Sequence, residues 1–524
     1  MQTIASYVAG RWHEGQQDHQ ALFDPTTEAE IGRCSSAGID FGAVVAYARD
    51  KGGPALRALT FAQRAEALKA VSAAIHAIRD ELIALSAKNG GSTRGDAKFD
   101  IDGATGTLAA YAALGKELGD ARHLSDGDGV QLGRSARFYG QHVLTSRPGI
   151  AVHINAFNFP AWGMGEKLAC AILAGVPVIE KAGTPSAMVA WRTAKAIADS
   201  GALPEGAFQF IVGNTGDLLD RLGPMDCVAF TGSSRTGRQI RGHANLLDHN
   251  VRVNVEADSL NAAVLAPDVE PGSDLFHLFV GNVVVDMTQK AGQKCTAVRR
   301  IFVPKERVAE VVEALTERLR AVKLGDPAVE DTRMGPLASA RQWQDVRAGI
   351  EKLQRVAELA CGGTQRPFER GWFVQPTLAV APGLDVGVVH EEEVFGPVAT
   401  VLGYDPGDVD TLAATINRGG GGLVASMYGN ERSFTDALAF AIAPWHGRVW
   451  IASDRVADQT LQPGMVLPQL IHGGPGRAGG GEELGGLRGL HLYMQRTAVQ
   501  GFQGAIAKTF GRGEAAPEGS KIST

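Results

Sequence analysis

Gly149-Ile150-Ala151-Val152-His153-Ile154 is a short apolar run, and soon after it Pro160 opens a helical pattern that lasts to about Ala174. The same exchange recurs downstream. Residues 176–181 read as a strand, 186–200 as a helix, and 208–212 and 228–230 as two more strands. Alternation of this kind predicts right-handed βαβ units in a parallel sheet covered by helices. A second alternating region runs from 261 to about 450. Upstream, Leu56, Leu59, Ala62, Ala65, Leu68, Val71, Ile75 and Ile78 fall at helical spacing over 55–89, and a further helix is expected over 103–118. Residues 123–143 read as an insertion, in which the turn Asp126-Gly127-Asp128-Gly129 leads to the alternating Arg137-Phe138-Tyr139-Gly140. Residues 506–524 read as a frayed tail.

Composition narrows the class. A chain of 524 residues exceeds one core, so two or three domains are expected. A net charge of −6 gives no general attraction for nucleic acid or anionic membrane. Cys34, Cys170, Cys227, Cys295 and Cys361 are odd in number and scattered. That fits a reducing compartment and offers no metal-ligand spacing. Met1-Gln2-Thr3-Ile4 lacks a basic segment before an apolar run, and no apolar stretch approaches a bilayer's width. A cytoplasmic protein is expected.

Four stretches carry chemistry. Gly292-Gln293-Lys294-Cys295 presents a lone cysteine just after a polar helix end. Its alternatives are a small buried hydrophobe and a nucleophilic thiol, and the thiol needs a separate carboxylate or imidazole to finish its work. Glu256 stands upstream. Asn155-Ala156-Phe157-Asn158-Phe159-Pro160 joins a strand to a helix, where an Asn can cap the helix or donate its amide to an oxyanion. Phe230-Thr231-Gly232-Ser233 follows a strand and opens a helix, whose N–H groups suit a pyrophosphate. Gly474-Pro475-Gly476-Arg477-Ala478-Gly479 satisfies a dinucleotide-type glycine spacing by letter. It holds a Pro and lacks the acidic partner, so it reads as an irregular loop.

Together with Glu392-Glu393-Val394-Phe395-Gly396-Pro397, these motifs in this order resemble the aldehyde dehydrogenase superfamily over about residues 5–505. The resemblance implies an α/β fold with a Rossmann-like cofactor domain (1–122 and 144–254) and an α/β catalytic domain (255–450). It also implies a small β oligomerisation element with a C-terminal loop (123–143 and 451–505), and a homodimer or dimer of dimers. It makes Cys295 the nucleophile, Glu256 the base and Asn158 the oxyanion donor. Lys181 becomes a ribose and phosphate contact, Gly232 and Ser233 the pyrophosphate turn, and Glu393 with Phe395 the nicotinamide-ribose contact.

The run from His472 to Leu487, with Asn254-Val255-Glu256-Ala257-Asp258, is similar to the semialdehyde dehydrogenases of aerobic CoA-linked aromatic degradation. That branch implies NADP-dependent oxidation of an acyl-CoA semialdehyde, of the 3,4-dehydroadipyl-CoA semialdehyde type, to the carboxylate. The alternatives are an aliphatic semialdehyde dehydrogenase of another pathway and a non-catalytic family member. A CoA-acylating relative lacks the base that Glu256 supplies here. Two departures fall in the expected adenosine-ribose region: Ala182 follows Lys181 where relatives have Pro, and Glu180 replaces an apolar residue. NADP preference is read from Lys181 and Thr184, a hydroxyl standing where NAD-preferring relatives carry a carboxylate; NAD remains possible. The resemblance implies that the helix from Pro160 lines the substrate tunnel; Glu166, four residues from Trp162 on one face of it, is then expected there, with a solvated helix charge as the alternative. Glu166 and Glu483 are candidates for a proton relay with Glu256.

Overall fold

The computed structural model describes residues 2–510. The apolar run around Val152 becomes the strand Ala151–Ile154, in the middle of a seven-stranded sheet. The order across that sheet is Arg252–Glu256, Cys227–Thr231, Ala151–Ile154, Val178–Lys181, Phe208–Ile211, Ser6–Val8 and Arg11–His13. Its first five strands are parallel and the last two add antiparallel. From Ala151–Ile154 the chain moves first to Val178–Lys181 on one side and later to Cys227–Thr231 on the other. The order therefore reverses at this strand, and a crevice opens at the carboxyl ends where the chain diverges. Asn158 and the Gly232-Ser233 turn leave from the two strands that border it.

The second seven-stranded sheet runs Glu358–Cys361, Thr377–Val380, Val398–Tyr404, Val298–Pro304, Asn261–Leu265, Gly422–Tyr428 and His446–Ala452. Only its pairing of Glu358–Cys361 with Thr377–Val380 is antiparallel. Val298–Pro304 is buried along its whole length, as a central parallel strand should be. Apolar side chains collect in one core that includes Leu68, Leu108, Leu168 and Phe210, and in another that includes Val264, Phe279, Ile301 and Val401. Leu108 and Leu168 are wholly buried; truncating either to Ala should cost about 2–5 kcal/mol.

The helical stretch expected over 55–89 is three helices, Gly53–Ala58, Phe61–Ala77 and Arg79–Lys88. Thr60 takes an extended conformation and forms a reciprocal capping box with Gln63, which starts a new helix inside the apolar periodicity. The helix expected from 103 begins at Arg94, capped by Thr93. The helix expected from Pro160 is Trp162–Ala174. Its own sequence gives it no side-chain cap. Asp100 of the helix Arg94–Leu118 supplies one, accepting from Trp162 N at 2.8 Å and Ala161 N at 3.3 Å.

Residues from the expected insertion pair with the chain's far end. Phe138–Ser146 lies antiparallel to Met494–Phe502 across nine residue pairs, and His123–Ser125 and Val130–Gln131 add to Phe138–Ser146. A helix, Gln503–Phe510, then enters the stretch read as a tail, with Ile506 buried; the rest of that stretch, 511–524, lies outside the described residues. None of the described helices is long and apolar enough to cross a membrane.

Candidate active site

Cys295 stands after a backbone feature that the sequence hides. The helix Asp274–Thr288 ends in a short turn in which Lys290 (φ 53°), Ala291 (φ 52°) and Gly292 (φ 69°) are left-handed in succession. The glycine is required here: a Cβ at Gly292 would lie 2.2 Å from the carbonyl oxygen of Gly396. Beyond the turn, the Asn261 amide donates to the carbonyls of Cys295 and Ala297, each at 2.8 Å. These bonds fix the loop that carries the thiol. Asn158 donates one amide N–H to Gln293 O at 3.0 Å, and its second N–H stays available for the cavity it lines.

Two cavities meet at the thiol. One, about 490 Å³, is lined by Phe159, Trp162, Glu166, Glu256, Cys295 and His472 among others. The other is a groove of about 1520 Å³ along Gly183, Gly232, Ser233, Arg235, Glu393 and Phe395. Asn155, Ala156, Asn158, Thr231, Glu256 and Cys295 line both. A group held in either cavity therefore reaches the same sulfur.

The groove has the features a dinucleotide needs. Ser233 caps the helix Ser234–Arg241, accepting from Thr236 N, so the first N–H groups of that helix border the groove. Asp258 pins the same turn by accepting from Ser234 N at 2.9 Å. Glu393 accepts from Ser259 N at 3.1 Å and faces Arg299 at 3.4 Å. Burial raises the Glu393 carboxyl to about 7, against the pull of that guanidinium. Phe395 packs edge-on to Phe157, with ring centroids 6.2 Å apart.

Glu256 ends the strand Arg252–Glu256, and the glycine-rich C-terminal loop is laid along that strand's backbone. Gly481 N donates to Val255 O, and Ala257 N to Ala478 O. Gly479 has φ 102°, and a Cβ there would stand 2.1 Å from Val255 O. No larger residue permits this approach. The glycine run that fails as a phosphate cradle serves instead to dock the short hairpin of Ile471–Gly473 and Glu482–Leu484, in which His472 pairs with Glu483.

That hairpin completes a buried charge cluster. His472 Nε2 lies 3.8 Å from Cys295 Sγ and 3.2 Å from Glu256 Oε1. Lys167 Nζ lies 3.0 Å from Glu483 Oε2 and 3.3 Å from Glu166 Oε1. The Asn254 amide donates to Glu483 Oε1 at 3.2 Å. Carboxylate oxygens of Glu166, Glu256 and Glu483 all fall within 4.8 Å of one another. Two such charges repel by about 3.5 kcal/mol at an effective dielectric near 20, so three anions beside one ammonium are disfavoured. The site answers by dividing the protons. Burial works against charge on Glu256, but the His472 imidazole and the Lys167 ammonium outweigh it and hold this carboxyl down at about 2. Burial lifts Glu166 to about 7, with the Glu483 charge adding to it and Lys167 opposing. Burial and the Glu256 carboxylate push the Cys295 thiol up. Glu256 is thus held ionised, while Glu166 titrates near neutrality.

Cys295, Glu256, Asn158 and Glu166 all line the smaller cavity, and Glu483, from the far end of the chain, stands beside Glu166 and Glu256 without lining it. Gly232, Ser233, Glu393 and Phe395 line the groove. Lys181 and Thr184 are not among its lining residues. Thr184 Oγ1 donates to Gln20 Oε1 at 2.9 Å, and burial lowers the Lys181 ammonium. Glu180 corrects the sequence reading. It points into the sheet, not toward a ribose, where its oxygens bond His153 Nδ1 and accept from the Asn155 amide, both at 2.7 Å. His472, Lys167 and Asn254 were assigned no role from sequence. The signal for His472 was its place immediately before a glycine cluster, which by itself carries no chemistry.

A doubly wound nucleotide-type sheet and a second, mostly parallel sheet, with a cysteine thiol, a buried carboxylate and an Asn amide lining one cavity between them, define an aldehyde dehydrogenase fold. The aldehyde dehydrogenase family matches residues 12–499, and the chain belongs to that family. It is an enzyme of a family that uses NAD or NADP. It is 43% identical over 479 residues to the 3,4-dehydroadipyl-CoA semialdehyde dehydrogenase of Aromatoleum evansii, covering 90% of this chain and 93% of that protein. It is 32% identical over 353 residues to the hydroxyisobutyraldehyde dehydrogenase of Mycolicibacterium austroafricanum, covering 66% of this chain and 65% of that protein. Among solved structures, a lactaldehyde dehydrogenase superposes with a TM-score of 0.84 at 24% identity, over 95% of this chain and 99% of that one. An NAD+ complex of the Bacillus cereus aldehyde dehydrogenase gives 0.81 at 24% identity, over 96% and 97%.

Proposed function

We propose that the protein oxidises the aldehyde end of an acyl-CoA semialdehyde to the carboxylate, with NADP preferred, in the CoA-linked breakdown of aromatic compounds. The observation that carries the chemistry is the meeting of two cavities at Cys295. The 43% identity with a 3,4-dehydroadipyl-CoA semialdehyde dehydrogenase supports the substrate class. The apolar lining of Phe99, Phe159, Trp162 and Val466 suits a short acyl arm, and the nucleotide end of the substrate stays outside.

A bound nicotinamide dinucleotide supplies the hydride acceptor, and the groove residues Gly232, Ser233, Glu393 and Phe395 would hold it. Cys295 gives up its thiol proton to water in the cavity as Sγ bonds to the carbonyl carbon, and the free N–H of Asn158 with the Cys295 backbone N–H steadies the oxyanion. The thioester that remains on Cys295 is hydrolysed by a water that gives its proton to Glu256. His472 Nε2 stands 3.2 Å from Glu256 Oε1, and its charge favours the ionised carboxylate. Glu166 and Glu483, bridged by Lys167, pass that proton onward, and Glu166 takes it once ionised above about 7. NADP preference draws on Lys181 and Thr184, which flank the groove residue Gly183 without lining the groove themselves, and on Arg235 and Arg341, the cations that do line it. The first sheet with its helices would form the cofactor domain and the second the catalytic domain. The four-stranded sheet, whose strands expose Phe138 and Phe502, would join subunits into a dimer or dimer of dimers.

Steady-state rates with acyl-CoA semialdehydes and with the matching free semialdehydes test the reading, each with NADP and NAD. A higher kcat/KM for the CoA thioesters with NADP is expected. Equal or better use of the free aldehydes would overturn the substrate assignment.

A further inference from the structure

Three donor atoms of different chemistry converge beside the nucleophile: Cys295 Sγ, His472 Nε2 and Glu256 Oε1, all within 4.8 Å of one another. We propose that these residues form a binding site for a thiophilic divalent cation of the zinc class, and that its occupancy reversibly switches the enzyme off.

The spacing is that of a tetrahedral ion's ligands. Bond lengths of about 2.3 Å to sulfur and about 2.0 Å to nitrogen and oxygen put S···N near 3.6 Å and N···O near 3.3 Å at a tetrahedral angle. The structure has 3.8 Å and 3.2 Å. Glu256 Oε1 is fully buried and meets no aligned hydrogen-bond donor, although an imidazole nitrogen is close. An atom in that condition gains from an ion placed between the groups.

Charge agrees with geometry. A divalent ion replaces the Cys295 thiol proton and the proton on His472 Nε2, both of which leave to solvent, and its two charges cancel those of one thiolate and one carboxylate. The buried cluster becomes neutral there without recruiting another residue. His472 is held by the hairpin pairing, Glu256 by its strand and Cys295 by Asn261, so the set needs little rearrangement. The fourth position opens on the cavity that also receives the aldehyde. That is the open coordination of a three-ligand site, and here it blocks attack because the metal occupies the sulfur. Cation and aldehyde therefore compete for one atom, whereas the groove's pyrophosphate turn is untouched.

The experiment titrates the purified full-length enzyme, freed of chelators and thiols, with ZnCl2 and in parallel with CoCl2. One equivalent of Co2+ is expected to give a thiolate charge-transfer band and tetrahedral visible bands. Zn2+ should inhibit turnover competitively with aldehyde and reversibly with a chelator. Cys295→Ser should abolish the charge-transfer band, and His472→Ala should weaken metal affinity at least tenfold. NADP binding and circular dichroism of both variants check that they are folded. Spectra that persist in Cys295→Ser, or an affinity unchanged in His472→Ala, would overturn the site. So would the absence of stoichiometric binding to the wild-type enzyme.

Discussion

Glu483→Gln should move the pH dependence of thioester hydrolysis downward. In the wild-type cluster Glu166 titrates near 7, lifted by burial and by the charge on Glu483, and restrained by Lys167. Carboxylate atoms of the two residues lie within 4.8 Å. At an effective dielectric near 20 their repulsion is about 3.5 kcal/mol, equivalent to roughly 2.5 pH units. The amide keeps the shape and the Asn254 contact but carries no charge, and Lys167, 3.3 Å from Glu166, then has that carboxylate alone to face. Both changes favour ionised Glu166. The rate of acyl-enzyme decay, followed by rapid quench in single turnovers, should rise with pH through an inflection near 7 in the wild type. In Glu483→Gln the inflection should fall by at least one unit. An inflection that stays near 7 or climbs would refute the assignment of Glu166 as the titrating member of the relay.

Glu256→Gln should give a burst of NADPH near one equivalent per site followed by a slow phase, seen by stopped-flow absorbance; loss of the burst would make Glu256 the activator of the thiol. Cys295→Ala should fall below about one thousandth of wild-type turnover while still binding NADP, measured by fluorescence quenching. Thr184→Glu should cut the NADP-over-NAD ratio of kcat/KM at least tenfold, about 1.4 kcal/mol, and an unchanged ratio would remove Thr184 from the selectivity argument. Glu166→Gln should change stability in a pH-dependent way. The carboxyl is raised from 4.5 to about 7 on folding, so its protonated form favours the fold below 4.5 and that advantage is lost as pH rises through 7. Against the wild type, the variant's Tm should therefore gain between pH 5 and pH 8, by up to about 3 kcal/mol of stability; scanning calorimetry at the two pH values decides it.

The parallel strands were legible because an apolar run bounded by turn residues has few other readings. Cys295, Glu256 and Asn158 were legible because each sits in a motif a few residues long. Glu166 was placed in the cavity by the resemblance of its helix, and its spacing to Trp162 put both on the face that lines it. Local patterns could not reveal His472, which is 177 positions from Cys295 and reaches it only because two three-residue strands pair and a glycine loop docks on Val255. Lys167 looked like the charged edge of an apolar helix, yet it is almost fully buried because two carboxylates from separate elements meet it. The break at Thr60 was written as a Thr-x-x-Gln capping box within a stronger apolar rhythm. Glu180 was misplaced because its partners, His153 and Asn155, lie on the neighbouring strand and just past its end, where register and not sequence distance decides contact.

The hairpin laid along Val255 also sets the order in which the enzyme becomes competent. A nascent chain that has emerged through residue 460 already contains the thiol, the base, the oxyanion donor and every groove residue named above. It still lacks His472 and Glu483, which complete the buried charge cluster around Glu256. Competence arrives only with the last segment of the fold, after both sheets have been synthesised. A cut in the exposed stretch around Asp454 and Arg455 would detach that segment's covalent link while sparing the nucleotide groove. Such a nicked molecule would load cofactor and, once its hairpin was lost, stall with its acyl group in place.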